Sequence, residues 1–327
     1  MQRAIATGQV EIMKLLICKA EGSCSEHTDL LTYAISKENL EIVKELIKSG
    51  ADIDKEDDDG WTPLAMAIDK GNQEIVTLLT KNGANPNSVD SEKRTPITEA
   101  IDKGNLEILK LLIENGANPN MFSLGCYSPL NKAIFEDKID IAELLIKNGA
   151  DVNMSDGLHW TPLTTAIEMG NIEMVKKLLQ SGANPNIFPE GCNSPLNRAI
   201  FREKQEILTL LIEQGADVNQ LDGTYWTPIT KAIRKGNIEI IQKLLQSGAN
   251  PNILSQDCPS PLNRAIYDDK IEIMPLLIKN GADVNMIDLV GWTPLWLSVA
   301  KEKFKSFVCK YNIPFIRSNH YKKSENC

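Results

Sequence analysis

The stretch that decides the fold is residues 61–87, WTPLAMAIDKGNQEIVTLLTKNGANPN, because versions of it recur along almost the whole chain. Its Thr-Pro-Leu start, or a near copy, returns every 33 residues at Thr62, Thr95, Ser128, Thr161, Ser194, Thr227, Ser260 and Thr293. An alanine, first seen as Ala67, and a glycine, first seen as Gly83, keep the same spacing. Such self-similarity is typical of stacked-repeat proteins.

Each part of the unit predicts a local structure. Pro63 fits the first turn of a helix over residues 63–70, because its missing N–H would have no helical partner there. Gly71 supplies the left-handed residue that ends this helix, and Asn72 can cap a second one. Gly83 ends the second helix before a polar exit loop. One helix pair cannot bury its own apolar faces, so we expect the units to stack.

The unit resembles the ankyrin repeat in its Thr-Pro-Leu start, its Gly-Asn second-helix start and its Gly-Ala-Asn-Pro-Asn exit. The resemblance implies an all-α ankyrin-repeat solenoid of about ten stacked helix-turn-helix units with projecting loops, over residues 1–300. Residues 1–60 hold degenerate repeats, residues 61–292 regular ones, and residues 301–327 a C-terminal capping helix and tail. Where the family usually has His after Thr-Pro-Leu, most repeats here have Thr or Asn, which we expect to replace its hydrogen bonds.

From the fifth repeat onward two kinds of unit alternate. Units that start at Ser128, Ser194 and Ser260 read SPLN, and units that start at Thr161, Thr227 and Thr293 have Trp or Tyr-Trp before Thr-Pro. We name them SPLN repeats and WTP repeats. The resulting period of two repeats indicates duplication of a two-repeat block.

Two positions near the C-terminal end depart from the pattern. Pro275 falls inside the second helix of the ninth repeat, where it should remove one backbone hydrogen bond and bend the turn. After Ala300 the repeat fades, but residues 301–312 can form a final second helix with Phe304, Phe307 and Val308 facing the previous repeat. From Lys301 onward seven Lys and Arg face two Glu. We predict a capping helix and tail, with a docking motif as the alternative.

The composition limits the classes of function. A net charge of -9 and a pI near 5.1 argue against general nucleic-acid binding. No apolar run reaches the roughly 18 residues of a membrane span. Cys126, Cys192 and Cys258 lie two repeats apart, which is too far for disulfides, so we expect reduced thiols and a cytoplasmic protein.

No pattern of residues indicates catalysis. His27, His159 and His320 are too far apart for a triad or a zinc site, and no glycine-rich phosphate loop occurs. The acidic run over residues 52–59 does not match a calcium-binding loop. We therefore predict a protein that is not an enzyme and needs no cofactor. A cysteine enzyme is the weakest alternative, since its cysteines lack a nearby base.

Repeat proteins bind partners on the concave strip of first helices and loop tips. Three positions per repeat should line it: the residue before the Thr or Ser start, and the residues four and seven places after it. The candidate partner-binding residues at or beside these positions are Trp61, Arg94, Tyr127, Lys132, Phe135, Trp160, Arg198, Phe201, Arg202, Trp226, Lys231, Arg234, Arg264, Tyr267 and Trp292.

Arg and exposed aromatic side chains contribute most of the binding energy at many interfaces. The candidate strip therefore predicts a scaffold or adaptor for a protein segment with acidic or phosphorylated residues, acting as a monomer. Two alternatives remain. The basic residues could pair internally with Glu136, Glu203 and Asp268. Alternatively, Lys132, Phe135, Arg198 and Phe201 could hold an anionic, nucleotide-like ligand by charge and stacking. The Ile-, Asn- and Lys-rich style resembles effector arrays of intracellular bacterial pathogens, which would act in a host cytosol.

Overall fold

The computed structural model describes residues 26–90, 92–254, 259–289 and 291–311. The predicted first repeat, Cys258 and the basic tail beyond Tyr311 lie outside these residues. The chain divides into two compact units, one ending at Leu158 and one beginning at His159. Within the described residues both units are built from α-helices joined by turns and loops.

The first unit contains four helix pairs among its described residues. Its first helices are Glu26–Ser36, Pro63–Asp69, Pro96–Asp102 and Pro129–Phe135. Its second helices are Leu40–Lys48, Gln73–Lys81, Leu106–Glu114 and Ile139–Lys147. First helices pack on first helices and second on second along the unit, which is the stacking that the period predicts.

The second unit continues the same order. Its first helices are Pro162–Met169, Pro195–Phe201, Pro228–Lys235, Pro261–Tyr267 and Pro294–Tyr311. Its second helices are Ile172–Gln180, Gln205–Glu213, Ile238–Gln246 and Met274–Lys279, the last preceded by a 3-10 turn over Ile271–Ile273.

The start signals read from the sequence are confirmed. Thr62 caps the Pro63–Asp69 helix by accepting a hydrogen bond from Ala65 N, and Asn72 caps the next helix by accepting one from Ile75 N. Leu64 and its counterparts in the repeats up to the one that starts at Ser260 lie in the core. Burial of each such side chain contributes about 1.5–3 kcal/mol, so packing between repeats supplies most of the stability of these short helices.

Left-handed residues end the helices, as predicted for Gly71 (φ 66°) and Gly83 (φ 93°). In the SPLN repeats the place of Gly71 holds an acidic residue, and Asp137 adopts φ 57° there. A side chain in this region of backbone space is unfavourable, because Cβ approaches the following carbonyl oxygen. The repeat geometry, not the residue type, therefore imposes the turn in SPLN repeats.

An asparagine in each exit loop explains the Asn-Pro-Asn ending. Asn87 Nδ2 donates to Gly116 O at 3.0 Å, and its Oδ1 accepts from Asn118 N at 2.7 Å. Asn186 repeats the arrangement with Gly215 O at 3.0 Å and Asp217 N at 2.8 Å. Each such side chain satisfies one backbone acceptor and one backbone donor of the following repeat, groups that would otherwise need water.

Thr does replace the family's usual His, but only through local contacts. In the WTP repeat that starts at Thr161, Thr164 Oγ1 accepts from Thr161 N and donates to Thr161 O, both at 2.9 Å. The two residues form a reciprocal cap at the start of the helix. Nothing in this bond set reaches the next repeat.

Asn replaces His through a longer connection. Asn197 is fully buried, and its Nδ2 donates to Asp222 Oδ2 at 2.6 Å and to Trp226 O at 2.9 Å. Asp222 Oδ1 meanwhile accepts from Thr224 N and Trp226 N within its own loop. One carboxylate thus joins its own turn to the preceding repeat.

The same bond joins Asn131 to Asp156 at 2.6 Å and Asn263 to Asp288 at 2.9 Å. The partner Asp stands five residues before the start of each WTP repeat, where the SPLN repeats have Ser or Pro. Within the second unit, each SPLN repeat is therefore specifically bonded to the WTP repeat that follows it, and in the first unit Asn131 makes the same bond to the loop that contains Asp156. The alternation, read from the sequence as duplication, also has a structural cause.

Near the C-terminal end of the second unit, the predicted effect of Pro275 is confirmed, but the predicted final helix is wrong. Pro275 does disturb its helix, since residues 271–273 are 3-10 and the α-helix begins only at Met274. The separate final helix over residues 301–312 is wrong: Pro294–Tyr311 is one continuous helix of 18 residues. Glu302 and Lys303 stand where the repeats that start at Thr62, Thr95, Thr161 and Thr227 have Gly and Asn, and both are helix-forming residues. The chain does turn at the similar pair Glu203 and Lys204, so the residue types alone do not explain the continuous helix. The side chains of Phe304, Phe307 and Val308 lie outside the described ones.

Candidate protein-binding surface

The cations four residues after each start are largely enclosed. Lys132 of the first unit donates to Asp102 at 2.6 Å and to Glu136 at 3.2 Å. Burial alone would lower the pKa of Lys132, but its hydrogen bonds to the two carboxylates outweigh this and raise the pKa. The positive charge of Lys132 is therefore balanced by carboxylates of its own unit.

Lys231 of the second unit is the most enclosed of these ammonium groups. Its Nζ donates to Asn193 Oδ1 and lies 3.5 Å from Asp222 Oδ2. Burial lowers the pKa of Lys231, and the attraction of Asp222 only partly opposes this. A buried pair of this kind contributes little net stability, yet loss of one member leaves an unpaired charge.

Arg198 is also buried, in a cluster of charged and aromatic groups. Its guanidinium lies 4.5 Å from the centre of the Trp160 ring and 3.4 Å from Glu168 Oε2. Glu168 also accepts from Nε and Nη2 of Arg202. One carboxylate therefore faces two guanidinium groups, of which only that of Arg202 is exposed.

Arg264 occupies the equivalent place two repeats later. It covers the Trp226 ring at 4.6 Å and pairs with Asp268 through Nε at 2.6 Å. Arg234 approaches the same Trp226 ring at 5.3 Å, and the Tyr267 ring lies 5.6 Å from Arg264. In both SPLN repeats of this unit, an Arg thus stacks on the Trp of the preceding WTP repeat.

Arg94 and Trp61 form a related pair in the first unit, with the guanidinium 4.7 Å from the ring. Arg94 also lies 2.9 Å from Asp90 Oδ2 and 3.3 Å from Glu99 Oε2. Burial raises the pKa of Glu99, although Arg94 and Lys103 oppose the shift. The acidic character that the sequence gives this repeat is therefore partly cancelled by its own arginine.

One row of cationic and aromatic side chains in the second unit does reach solvent, at the C-terminal ends of the first helices. Lys235 Nζ lies 4.4 Å and Arg202 5.5 Å from the centre of the half-buried Phe201 ring. Arg202, Arg234 and Tyr267 are exposed beside it. We call Phe201, Arg202, Arg234, Lys235 and Tyr267 the second-unit surface.

The first unit presents a smaller aromatic feature. The rings of Tyr127 and Phe135 stack with centroids 5.1 Å apart, and Phe135 is 47% exposed. Beside Tyr127 lies a hollow of about 250 Å³, lined in part by Arg94, Cys126 and Lys132. Two of its cations, Arg94 and Lys132, already pair with carboxylates.

The structure sorts the fifteen predicted residues into three groups. Exposed ones are Phe135, Arg202, Arg234 and Tyr267. Half-buried ones are Trp61, Arg94, Tyr127, Lys132, Trp160, Phe201 and Trp292. Buried ones are Arg198, Trp226, Lys231 and Arg264. The binding role of all fifteen stays a prediction, but the buried four cannot meet a partner without displacing their own contacts.

The sequence analysis missed the roles of two residues, Lys235 and Asp222. Lys235 stands eight residues after its start, the place that Arg202 holds in the preceding repeat, but it was not among the fifteen candidates, and the contact with Phe201 shows its place. The buried Asp222 was also missed, because a loop Asp gives no signal of burial. Within the described ranges, no group of His, Cys, Asp or Glu is arranged to hold a metal ion, and no helix is long and apolar enough to cross a membrane.

Stacked helix pairs that recur every 33 residues define a helical repeat protein. A family model described as ankyrin repeats (3 copies) matches residues 1–90, 31–123, 80–156, 123–189, 188–255 and 229–313. The chain belongs to the ankyrin repeat family, and the predicted all-α ankyrin-repeat solenoid is confirmed.

The crystal structure of the human ASB11 ankyrin repeat domain is similar to this chain, with a TM-score of 0.52 and 28% identity. The match covers 68% of this chain and 99% of that domain. No curated protein matches the sequence. Ankyrin repeats are in general protein–protein interaction modules and typically not enzymes.

Proposed function

We propose that this protein is a non-enzymatic scaffold that binds a protein partner through the second-unit surface. The observation that carries the proposal is the exposed row of cations against aromatic rings, with Lys235 4.4 Å from the Phe201 ring and Arg202 beside it. Arg and aromatic side chains in this arrangement give large contact area and charge at the same place.

The charges of this surface favour an acidic or phosphorylated partner segment. Glu168 is shared between Arg198 and Arg202, and Glu203 lies 3.7 Å from Lys235. Arg234 is exposed, and its described contact is with the Trp226 ring. Cations therefore outnumber the carboxylates that face them, and a guanidinium can grip a carboxylate or phosphate by paired hydrogen bonds.

The alternative function, a sensor of an anionic small ligand, receives less support. Its proposed cations Lys132 and Arg198 each face a carboxylate of their own unit, at 2.6 Å and 3.4 Å. A small anion would have to displace those carboxylates. Action as a bacterial effector in a host cytosol stays a prediction from composition.

The test is capture of partners from lysate by the wild type and by the Arg202→Glu/Arg234→Glu variant. Both residues are exposed, so the helical circular dichroism should not change. We expect the captured amount of the main partner to fall at least tenfold, because two attractive charges become repulsive.

The matched control is Lys81→Glu/Lys147→Glu, which makes the same change of charge at exposed ends of second helices. It should retain the partner. Equal losses in both variants would mean that only net charge matters, and unchanged capture by the arginine variant would remove the second-unit surface. Phosphatase treatment of the lysate separates a phosphorylated partner from an acidic one.

A further inference from the structure

Among the described residues, the last repeat, which starts at Thr293, has a first helix and no second helix folded back on it. Pro294–Tyr311 runs on as one helix, so at about 1.5 Å per residue its second half extends well beyond the place where the other first helices end. In the third repeat the chain turns at Gly71 and restarts at Asn72. The last repeat has Glu302 and Lys303 in these two places.

The missing helix leaves core positions uncovered. Leu64 and Ile68 of the third repeat are 1% and 0% exposed, because the second helix and the next repeat cover them. Their counterparts Leu295 and Val299 are 73% and 47% exposed. Large apolar side chains that are exposed at core positions indicate an unoccupied binding site.

The preceding second helix borders the same opening. Ile278 on Met274–Lys279 is 45% exposed, whereas its counterparts in the first unit, Ile113 and Ile146, are half-buried. Elsewhere the next second helix packs against this side. Leu295, Val299 and Ile278 thus outline the space of one second helix, which we call the open slot.

We propose that a second copy of this chain fills the open slot, each copy supplying residues 303–311 as the missing second helix of the other. The segment KFKSFVCKY has nine residues, the length of Gln73–Lys81 and of most second helices. Its sequence places Phe304, Phe307 and Val308 at the three- and four-residue spacing of an apolar helix face. The sequence of the absent element is therefore present in the chain, but attached where it cannot reach its own slot.

Exchange of one identical element between two copies gives a closed two-fold dimer, in which both slots are filled and no further copy can add. A second copy is the best occupant, because an unrelated partner would have to imitate a helix that the chain already encodes. The proposal revises the monomer expected from the sequence, and it is independent of the second-unit surface.

The experiment is light scattering after size exclusion on the full chain and three variants. The wild type should have twice the 36.3 kDa of one chain. Glu302→Gly/Lys303→Asn introduces the Gly-Asn turn of the repeats that start at Thr62, Thr95, Thr161 and Thr227, so the segment should fold back, and we expect a monomer that keeps the melting temperature of the wild type. Leu295→Asp/Val299→Asp should give a monomer that melts lower, because the slot can no longer be filled.

Leu124→Asp is the control for loss of an exposed apolar side chain, since Leu124 lies on a first-unit loop and is 88% exposed. It should remain a dimer. A dimer that persists in Glu302→Gly/Lys303→Asn would overturn the exchange of helices. A monomeric wild type would overturn the second copy as occupant and leave the slot to residues 312–327 or to another protein.

Discussion

At the scale of residues, two side chains in equivalent places of the repeat make different hydrogen bonds. Thr164 bonds only within its own helix start, while Asn197 bonds to Asp222 and Trp226 of the next repeat. Buried amides and carboxylates are costly to leave without partners, so the two replacements for His should differ in their contribution to stability.

We predict that Asn197→Ala lowers the free energy of unfolding by about 3 kcal/mol, since Asp222 Oδ2 and a buried carbonyl lose their donor. Thr164→Ala, the matched change in a WTP repeat, should cost about 1 kcal/mol, the usual cost of a lost helix cap. Urea unfolding followed by circular dichroism measures both values. Equal costs would show that the bond between repeats contributes nothing beyond a local cap.

The sequence predicted that Thr and Asn replace His, but not how. The Asp partner of each Asn lies in a loop 25 residues further on, and no local pattern reveals that Asp222 turns inward. The sequence also failed to predict that Arg198 is buried. A long charged side chain at regular spacing looks solvent-exposed until the Trp160 ring and Glu168 of the preceding repeat are seen to enclose it.

At the scale of elements, the helices follow the sequence closely because each carries its own start and stop residues. Two elements depart from the expected bounds. The second helix of the ninth repeat is disturbed because Pro275 has no N–H to donate. The last helix continues through Glu302, although the helices that end before Asp137 and Glu203 stop without a glycine. The difference is the following repeat, which packs on those turns and is absent after this helix among the described residues.

We predict that Pro275→Ala raises the free energy of unfolding by about 2 kcal/mol and slightly increases the helical signal. Alanine restores an amide that can bond to Ile271 O, so residues 271–273 can change from 3-10 to α-helix. Thr77→Ala changes the equivalent residue of the third repeat, where the helix is already regular, and should have an effect below about 0.5 kcal/mol. Thermal unfolding measures both changes, and an equal change in stability in the two variants would contradict the prediction.

At the scale of the whole molecule, the pairing of SPLN and WTP repeats makes two repeats the natural unit of the chain. Asn197 requires an Asp 25 residues later, which the WTP repeats provide and the SPLN repeats do not. The period alone predicts that any whole number of repeats can be removed. The hydrogen bond between repeats predicts that deleting one repeat and deleting two repeats have different effects on stability.

We predict that deletion of residues 222–287, two repeats, is better tolerated than deletion of residues 222–254, one repeat. The longer deletion joins Leu221 to Asp288, so Asn197 again faces an Asp, whereas the shorter one places Ser255 opposite Asn197. Urea unfolding of both proteins measures the difference. A more stable product from the shorter deletion, which keeps more core, would show that burial outweighs the polar pairing.

The two oxygens of Asp222 also suggest the order of events when the chain folds. Oδ1 holds amides no more than four residues away, while Oδ2 meets Asn197 25 residues earlier. Contacts between near neighbours close sooner than distant ones. We therefore expect each turn to take shape first and to present a ready acceptor, so that ordering can begin at any WTP repeat and spread in both directions.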